Sequence, residues 1–268
     1  MSRRIAGWIC LAFTFCFAAS SICAGQTVAN KQQVIRQARA AYYNLTQEGL
    51  QEFQCSVNPN WRAILAAQVA QDPSAAAETI GILNQIHFSL RFTPDKVQLT
   101  HNDISNQHPE MAKNFKQIFD GMEQMTSGFF DTWKLFMLSP PFPEVEGEYV
   151  LESVGGQYRL SYNDGITRVV TTMGRNLAIS NMEITEPQFD SAIKPGFTDS
   201  PKGFLFTSYE ATYNSGKPEE ATKLKVQIGY QEVDGLQVLK QLDLSGSYGG
   251  SPFAVQLAFS DCSVTIKK

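Results

Sequence analysis

The spacing of apolar residues divides the chain into a helical first half and a strand-rich second half. An amphipathic helix over 28–48, ended by Gly49, is predicted from apolar residues at helical spacing: Val28, Val34, Ile35, Ala38, Tyr42 and Leu45. The period then changes to two at Phe53, Cys55 and Val57, which predicts a half-buried strand. Two more helices are predicted over 61–70 and 73–85, followed by a short hairpin over 87–101.

The longest helical pattern opens at Pro109 and ends before Pro140. Its apolar positions lie on one helical face: Met111, Phe115, Ile118, Phe119, Met122, Met125, Phe129, Trp133 and Phe136. Gly121 and Gly128 predict a bend or a break within it. The stripe fits an ordinary core-facing helix. It also fits a wall or lid over an apolar cavity, because methionine side chains adapt to varied apolar ligands.

From about residue 147 onward, alternating apolar and polar residues predict antiparallel strands. Hairpin-type turns occur at 163–165, 214–216 and 233–235. The segment 186–203 holds three prolines and two glycines, which predicts a long loop. An N-terminal strand, a helical middle and a large antiparallel sheet together indicate the α+β class.

Residues 1–25 have the pattern of a secretory signal peptide, in which two arginines precede an uncharged apolar stretch over 5–19. Cleavage is predicted after Ala24 or Gly25. The stretch is short for a retained membrane anchor, and the isoleucine before Cys23 does not suit lipidation of that cysteine. We therefore expect the mature protein to be soluble in the periplasm or another extracytoplasmic compartment.

Removal of the signal would leave 20 basic and 26 acidic residues, a net charge of −6. Nucleic-acid binding is not expected, because it requires a cationic surface. The mature chain would keep two cysteines, Cys55 and Cys262. In an exported chain this even count favours a disulfide over two buried free thiols, and the bond would join the first strand to the last.

Candidate catalytic residues are few and lack the spacing that known sites require. The segment 101–110 carries His101 and His108 beside acidic residues, but in no known metal-binding pattern. Residues 191–194 match the S-x-x-K motif of serine acyl enzymes, but without its companion motifs and inside the predicted loop. We therefore predict a protein that is not an enzyme, with no catalytic residues, no metal and no cofactor.

Both ends of the mature chain carry a family resemblance. The stretch "VIRQARAAYYNLTQEGLQEF" leads from a helix into a strand, and residues 223–264 show three strands with a Y-x-x-V-D-G-L pattern at 230–236. This arrangement resembles the LolA-like superfamily of periplasmic lipoprotein carriers and related lipid-binding proteins. The resemblance implies one domain over 26–268, with a helical insertion at about 59–146. It implies a strongly curved antiparallel sheet, an incomplete β-barrel, with helices covering its concave side.

The same resemblance implies a function in binding, because family members hold acyl chains or lipids beneath their helices. We expect a monomeric binder or carrier of a lipid, a lipoprotein acyl chain or another apolar small molecule. A membrane-associated protein is a further candidate partner. The residues expected to line the ligand are Met111, Phe115, Phe119, Met122, Met125, Phe129, Trp133 and Phe136. The alternative is a protein-interaction or sensor module that uses the same fold without a ligand cavity.

Overall fold

The computed structural model describes residues 26–27, 30–139, 141–217 and 220–267, so the predicted signal peptide lies outside the described residues. Its helices are α1 (Lys31–Ala40), α2 (Trp61–Ile64), α3 (Ala66–Gln71), α4 (Pro73–Leu83) and α5 (Ala112–Met137), the last preceded by a 3₁₀ turn, Pro109–Met111. The first four strands are β1 (Gln26–Thr27), β2 (Leu50–Pro59), β3 (Phe88–Phe92) and β4 (Val97–His101). The rest are β5 (Tyr149–Val154), β6 (Gln157–Asp164), β7 (Thr167–Met173), β8 (Ile179–Glu186), β9 (Phe189–Ser200), β10 (Gly203–Asn214), β11 (Thr222–Val233), β12 (Leu236–Tyr248) and β13 (Ser251–Ile266).

All the described strands belong to one antiparallel sheet, in the order β1-β5-β6-β7-β8-β9-β10-β11-β12-β13-β2-β3-β4. From β5 to β13 each strand pairs with the next one along the chain, as hairpin-type turns require. The two end strands, β1 and β4, do not pair with each other, so the sheet is open rather than a closed barrel. The class is α+β, as the residue pattern predicts.

The sheet is curved, and contacts of Trp133 on α5 show this directly. Its indole Nε1 donates a hydrogen bond to Tyr230 Oη on β11 at 3.0 Å. The same side chain packs edge-on against Phe92 on β3, with ring centroids 5.2 Å apart. These strands are four positions apart in the sheet, about 19 Å if the sheet were flat. Because one indole contacts both, the intervening strands must bend around it.

The cysteines form a disulfide between β2 and β13, with Cα atoms 4.2 Å apart and 207 positions of chain between them. Around this bond the pairing shifts register: Ser56 lies opposite Ser260, and Gln54 lies opposite Ser263. Two residues of β13 therefore face Cys55 alone, which is the arrangement of a β-bulge. The prediction of a bridge is confirmed, although Cys55 lies on the second strand because Gln26–Thr27 form β1.

The first predicted helix is shorter than expected, since α1 ends at Ala40 instead of continuing to 48. Four consecutive residues after it, 42–45, are buried, and a helix with one apolar face cannot bury four in a row. In extended form, Tyr42 instead places its hydroxyl between Leu177 O and Ile179 N, at 2.8 Å from each. Tyr43 Oη accepts a hydrogen bond from the Gln237 amide at 2.9 Å.

The prediction of a long loop over 186–203 is wrong, because most of it forms strand β9. Pro195 within that strand pairs with Tyr209 of β10 on one side. On the other side, pairing with β8 stops at Ile193, so the proline's missing N–H does not interrupt a ladder.

The long helix α5 is continuous, so the predicted break at Gly121 or Gly128 is wrong, whereas the alternative of a bend there stays a prediction. A Cβ at either glycine would meet no atom within 4 Å beyond its chain neighbours and the backbone of its own helix, and both positions are exposed. The predicted helix over 61–70 is divided at Leu65 into α2 and α3. None of the described helices combines the length and hydropathy that a membrane span needs.

Replacing both cysteines by alanine should reduce the free energy of unfolding by about 2–5 kcal/mol, because the bridge closes a loop of 207 positions in the unfolded chain. Urea denaturation with and without reductant measures this loss. Equal midpoints under the two conditions would contradict the assigned bond, as would two alkylatable thiols in the purified protein.

Candidate functional site

The apolar stripe of α5 lies against the sheet. Five of its predicted ligand-lining residues are buried: Phe115, Met122, Phe129, Trp133 and Phe136. The other three are partly buried and pack against the same hydrophobic cluster: Met111, Phe119 and Met125. The eight residues therefore share one apolar interior, bounded by the helix and the inward face of the sheet. We call this region the α5–sheet interior.

Aromatic packing fixes the C-terminal half of α5. Phe53 on β2 stacks on Phe92 on β3 at 4.8 Å, and Phe130 and Trp133 of α5 pack onto this pair at 5.1–6.3 Å. Nearer the end of the helix, Phe136 stacks on Phe206 of β10 with centroids 4.5 Å apart. Aromatic pairs at such distances contribute about 0.5–1.5 kcal/mol each beyond the apolar area they bury.

A chain of hydrogen bonds also fixes the orientation of Trp133 in this cluster. The Trp133 indole donates to Tyr230 Oη, and that hydroxyl donates to the carbonyl oxygen of Phe206 at 2.6 Å. Burial of the Tyr230 hydroxyl raises its pKa far above the usual range, so it remains a neutral donor. The backbone also holds this end of α5, because the Leu45 amide donates to Met137 O at 2.8 Å.

A group of hydroxyls lies one strand further along the sheet. Thr132 Oγ1 on α5 shares a hydrogen bond of 2.8 Å with Tyr213 Oη on β10. The Tyr209 hydroxyl lies beside this pair, but it makes no hydrogen bond of acceptable geometry within the described residues. Tyr209 is 1 % exposed, and burial raises the pKa of its phenol well above the ordinary value. Thr126 Oγ1 on α5 is likewise buried without a partner among the described residues.

The N-terminal half of α5 is held less firmly. Three of its residues over 112–128 are buried, against six over the shorter segment 129–137. Phe119 in this half stacks on the His101 ring of edge strand β4 at 3.4 Å and packs edge-on against Phe88 of β3 at 6.1 Å. Few buried contacts are the physical basis of low local stability, so this half should open more readily than the C-terminal half.

The catalytic candidates from the sequence do not come together to form a catalytic site. Ser191 and Lys194 lie on opposite sides of β9, the first buried and the second exposed, because side chains alternate along a strand. His108 Nδ1 lies 3.7 Å from Glu110 Oε1 and its ring packs near Phe115. Within the part of the chain that the structure describes, no group of three or more His, Cys, Asp or Glu residues could hold a metal ion.

Two open surface cavities of about 590 and 480 Å³ lie elsewhere. The larger is lined by Lys31, Tyr149, Tyr162 and neighbouring residues of β5–β7. The smaller lies over β9–β12 and carries Lys194, Lys223 and Lys225. Neither contains any of the eight predicted ligand-lining residues, so both are separate from the α5–sheet interior.

Sequence reasoning missed the hydroxyls of the interior. Tyr209 and Tyr213 are four residues apart on one strand, a spacing that places both on the same face. That signal depends on recognising β10 first. Nothing in the sequence brings either tyrosine to Thr132, which is 77 or more positions away along the chain.

Comparison with known proteins identifies no relative, because no family model and no curated protein matches the chain.

Replacing Tyr230 by phenylalanine should destabilise the fold by about 1–3 kcal/mol, because it leaves the buried Trp133 N–H without an acceptor. Tyr209→Phe is the matched control. It removes a buried hydroxyl that makes no hydrogen bond of acceptable geometry with the described residues, so it should be neutral or slightly stabilising. Urea denaturation of both variants tests this difference, and equal losses would contradict the assigned hydrogen bonds.

Stability should fall in alkali. Burial raises the pKa of Tyr42, Tyr209 and Tyr230 in the folded state, so each phenol stays protonated after it would ionise in the unfolded chain. Their contribution is therefore complete below pH 10 and is lost as the pH rises above it, at about 1.4 kcal/mol per pH unit for each tyrosine. Urea denaturation between pH 9 and 11.5, with absorbance at 295 nm, measures both unfolding and ionisation. Non-cooperative ionisation of all tyrosines near pH 10 in a folded protein would contradict it.

Proposed function

We propose that the protein is a non-enzymatic binder or carrier of an apolar ligand, such as a lipid or a lipoprotein acyl chain. In this proposal α5 covers the concave side of the sheet as a lid, and the ligand lies in the α5–sheet interior. The observation that carries the proposal is that the two halves of α5 differ in how many of their residues are buried against the sheet. Its C-terminal half is fixed by aromatic rings and hydrogen bonds, while its methionine-containing N-terminal half has few buried residues.

Energetics support replacement of the lid by a ligand. Opening the N-terminal half would expose chiefly Phe115 and Met122, each worth about 1.5–3 kcal/mol of apolar burial. An acyl chain gains about 0.8 kcal/mol for each methylene it buries. About eight buried methylenes would therefore offset the loss of both side chains. Flexible methionines at 111, 122 and 125 can then adapt to chains of different shape.

The place of action in this proposal is the periplasm or another extracytoplasmic compartment, where the protein acts as a monomer. A disulfide between β2 and β13 suits such an oxidising location. The resemblance of the strand pattern at 223–264 to LolA-like lipoprotein carriers supports the same assignment. A carrier must receive and deliver its ligand, so a membrane-associated protein is the proposed partner.

A second candidate function is a protein-interaction or sensor module with a permanently packed interior. The observation in its favour is the complete burial of Phe115, Phe130 and Trp133, each 0 % exposed. In that case α5 would be part of the core, and partners would bind the outer surface. The two candidates differ in one respect that can be measured, which is whether the interior accepts an apolar molecule.

Protein purified without detergent should carry lipid that native mass spectrometry detects, and after delipidation it should bind a fluorescent acyl probe. Phe119→Ala and Met125→Ala should weaken probe binding by about tenfold, because each removes a partly buried side chain of the proposed lining. Leu135→Ala is the matched control on the same helix, since Leu135 is 36 % exposed and should not affect binding.

Absence of both copurified lipid and probe binding would reject the carrier function and favour the packed interaction module. Equal weakening by Leu135→Ala would show that the probe binds the outside of the helix. Urea denaturation of each variant separates lost binding from lost folding.

A further inference from the structure

We propose that the α5–sheet interior contains a polar subsite, formed by Tyr209 and Tyr213 of β10 with Thr132 of α5. This hydroxyl subsite would bind an uncharged hydrogen-bonding group of the ligand, such as an ester or amide carbonyl. The inference rests on the proposed function, because it names the chemical class of ligand that the apolar interior would accept.

The geometry of β10 brings the hydroxyls together. Residues four apart on a strand point to the same face, so both tyrosines project inward from the sheet towards α5. Thr132 Oγ1 meets Tyr213 Oη at 2.8 Å, and Tyr209 Oη lies beside them. Ser191, another buried hydroxyl residue, lies directly opposite Tyr213 in the β9–β10 pair. Four hydroxyl side chains therefore occupy one part of a largely apolar interior.

Tyr209 is the residue that points to a ligand. A hydroxyl buried without a partner costs about 1–3 kcal/mol, and the great majority of buried polar groups in proteins are hydrogen-bonded. Tyr209 Oη lies beside the Thr132 and Tyr213 hydroxyls but makes no hydrogen bond of acceptable geometry with any described residue, although it is 1 % exposed and its ring is stacked on Phe206. A carbonyl oxygen placed beside it would accept the unused O–H donor. Burial also keeps this phenol protonated, so it can donate throughout the physiological pH range.

The charge of the interior limits the ligand further. The buried polar residues among those described are all uncharged: Asn44, Thr126, Thr132, Thr171 and Ser191. A carboxylate or phosphate carried into this interior would lose its hydration and find no buried cation, and that desolvation is strongly unfavourable. The subsite therefore favours a neutral amphiphile over a free fatty-acid anion.

The test uses three pyrene-labelled chains of equal length, ending in a methyl ester, a free carboxylic acid or a methyl group. Fluorescence titration of the delipidated full-length protein at pH 8 should give at least tenfold tighter binding for the ester than for the ionised acid. The ester should also bind about fivefold tighter than the hydrocarbon, as one added hydrogen bond predicts. Tyr209→Phe should remove the advantage of the ester over the hydrocarbon and leave hydrocarbon binding unchanged.

Two further variants keep the outcome clear. Thr132→Val should reduce the ester advantage partially, while Tyr248→Phe, at an exposed tyrosine, should leave all three affinities unchanged. Equal binding of ester, acid and hydrocarbon, or an ester advantage that survives Tyr209→Phe, would overturn the subsite while the apolar-binding function stands. Failure of all three probes to bind would overturn the proposed function and the subsite together.

Discussion

The contact of Trp133 with both Tyr230 and Phe92 is the constraint on which the rest of the architecture depends. A flat sheet would hold those two strands too far apart for a single indole to reach both. The strands between them must therefore curve, and the curvature creates the interior in which α5 lies. The disulfide from Cys55 to Cys262 joins two of the strands within the curved segment. Removing the indole would deprive both the aromatic cluster and the hydrogen-bond chain of their shared member.

The packing and hydrogen bonds that attach α5 to the sheet become fewer from its C-terminus to its N-terminus. This difference links the fold to the proposed function. At its C-terminal end the helix combines aromatic stacking, side-chain hydrogen bonds and a backbone bond to Leu45. Towards its N-terminus the buried contacts thin out, and two exposed glycines lower the helix propensity by about 1 kcal/mol each relative to alanine. The proposed lid requires one fixed end and one end that opens at low cost, and the uneven distribution of buried residues along α5 supports this proposal.

Local patterns in the sequence were sufficient for some features of the fold and insufficient for others. The strand alternation from 147 onward, the apolar stripe of α5 and the pairing of the two cysteines follow from periodicity and counting, and the structure agrees. The β9 strand is not predictable from local pattern. A strand tolerates Pro195 only because β8 stops pairing before it, and that depends on the tertiary structure. The early end of α1 was missed because hydrogen bonds to Leu177, Ile179 and Gln237 favour extended tyrosines. The apolar face of α5 can be recognised from the pattern of one helix, whereas the hydroxyls of β10 become relevant only once the sheet brings them to Thr132.

Hydrogen exchange along α5, with and without a neutral acyl ligand, tests the central claim most directly. If α5 is a lid, amides over 112–128 should exchange faster than those over 129–137 in the ligand-free protein, and ligand should slow exchange in the N-terminal half. Uniform protection along the whole helix, unchanged by ligand, would contradict the account and would mean that α5 is a permanent part of a packed core.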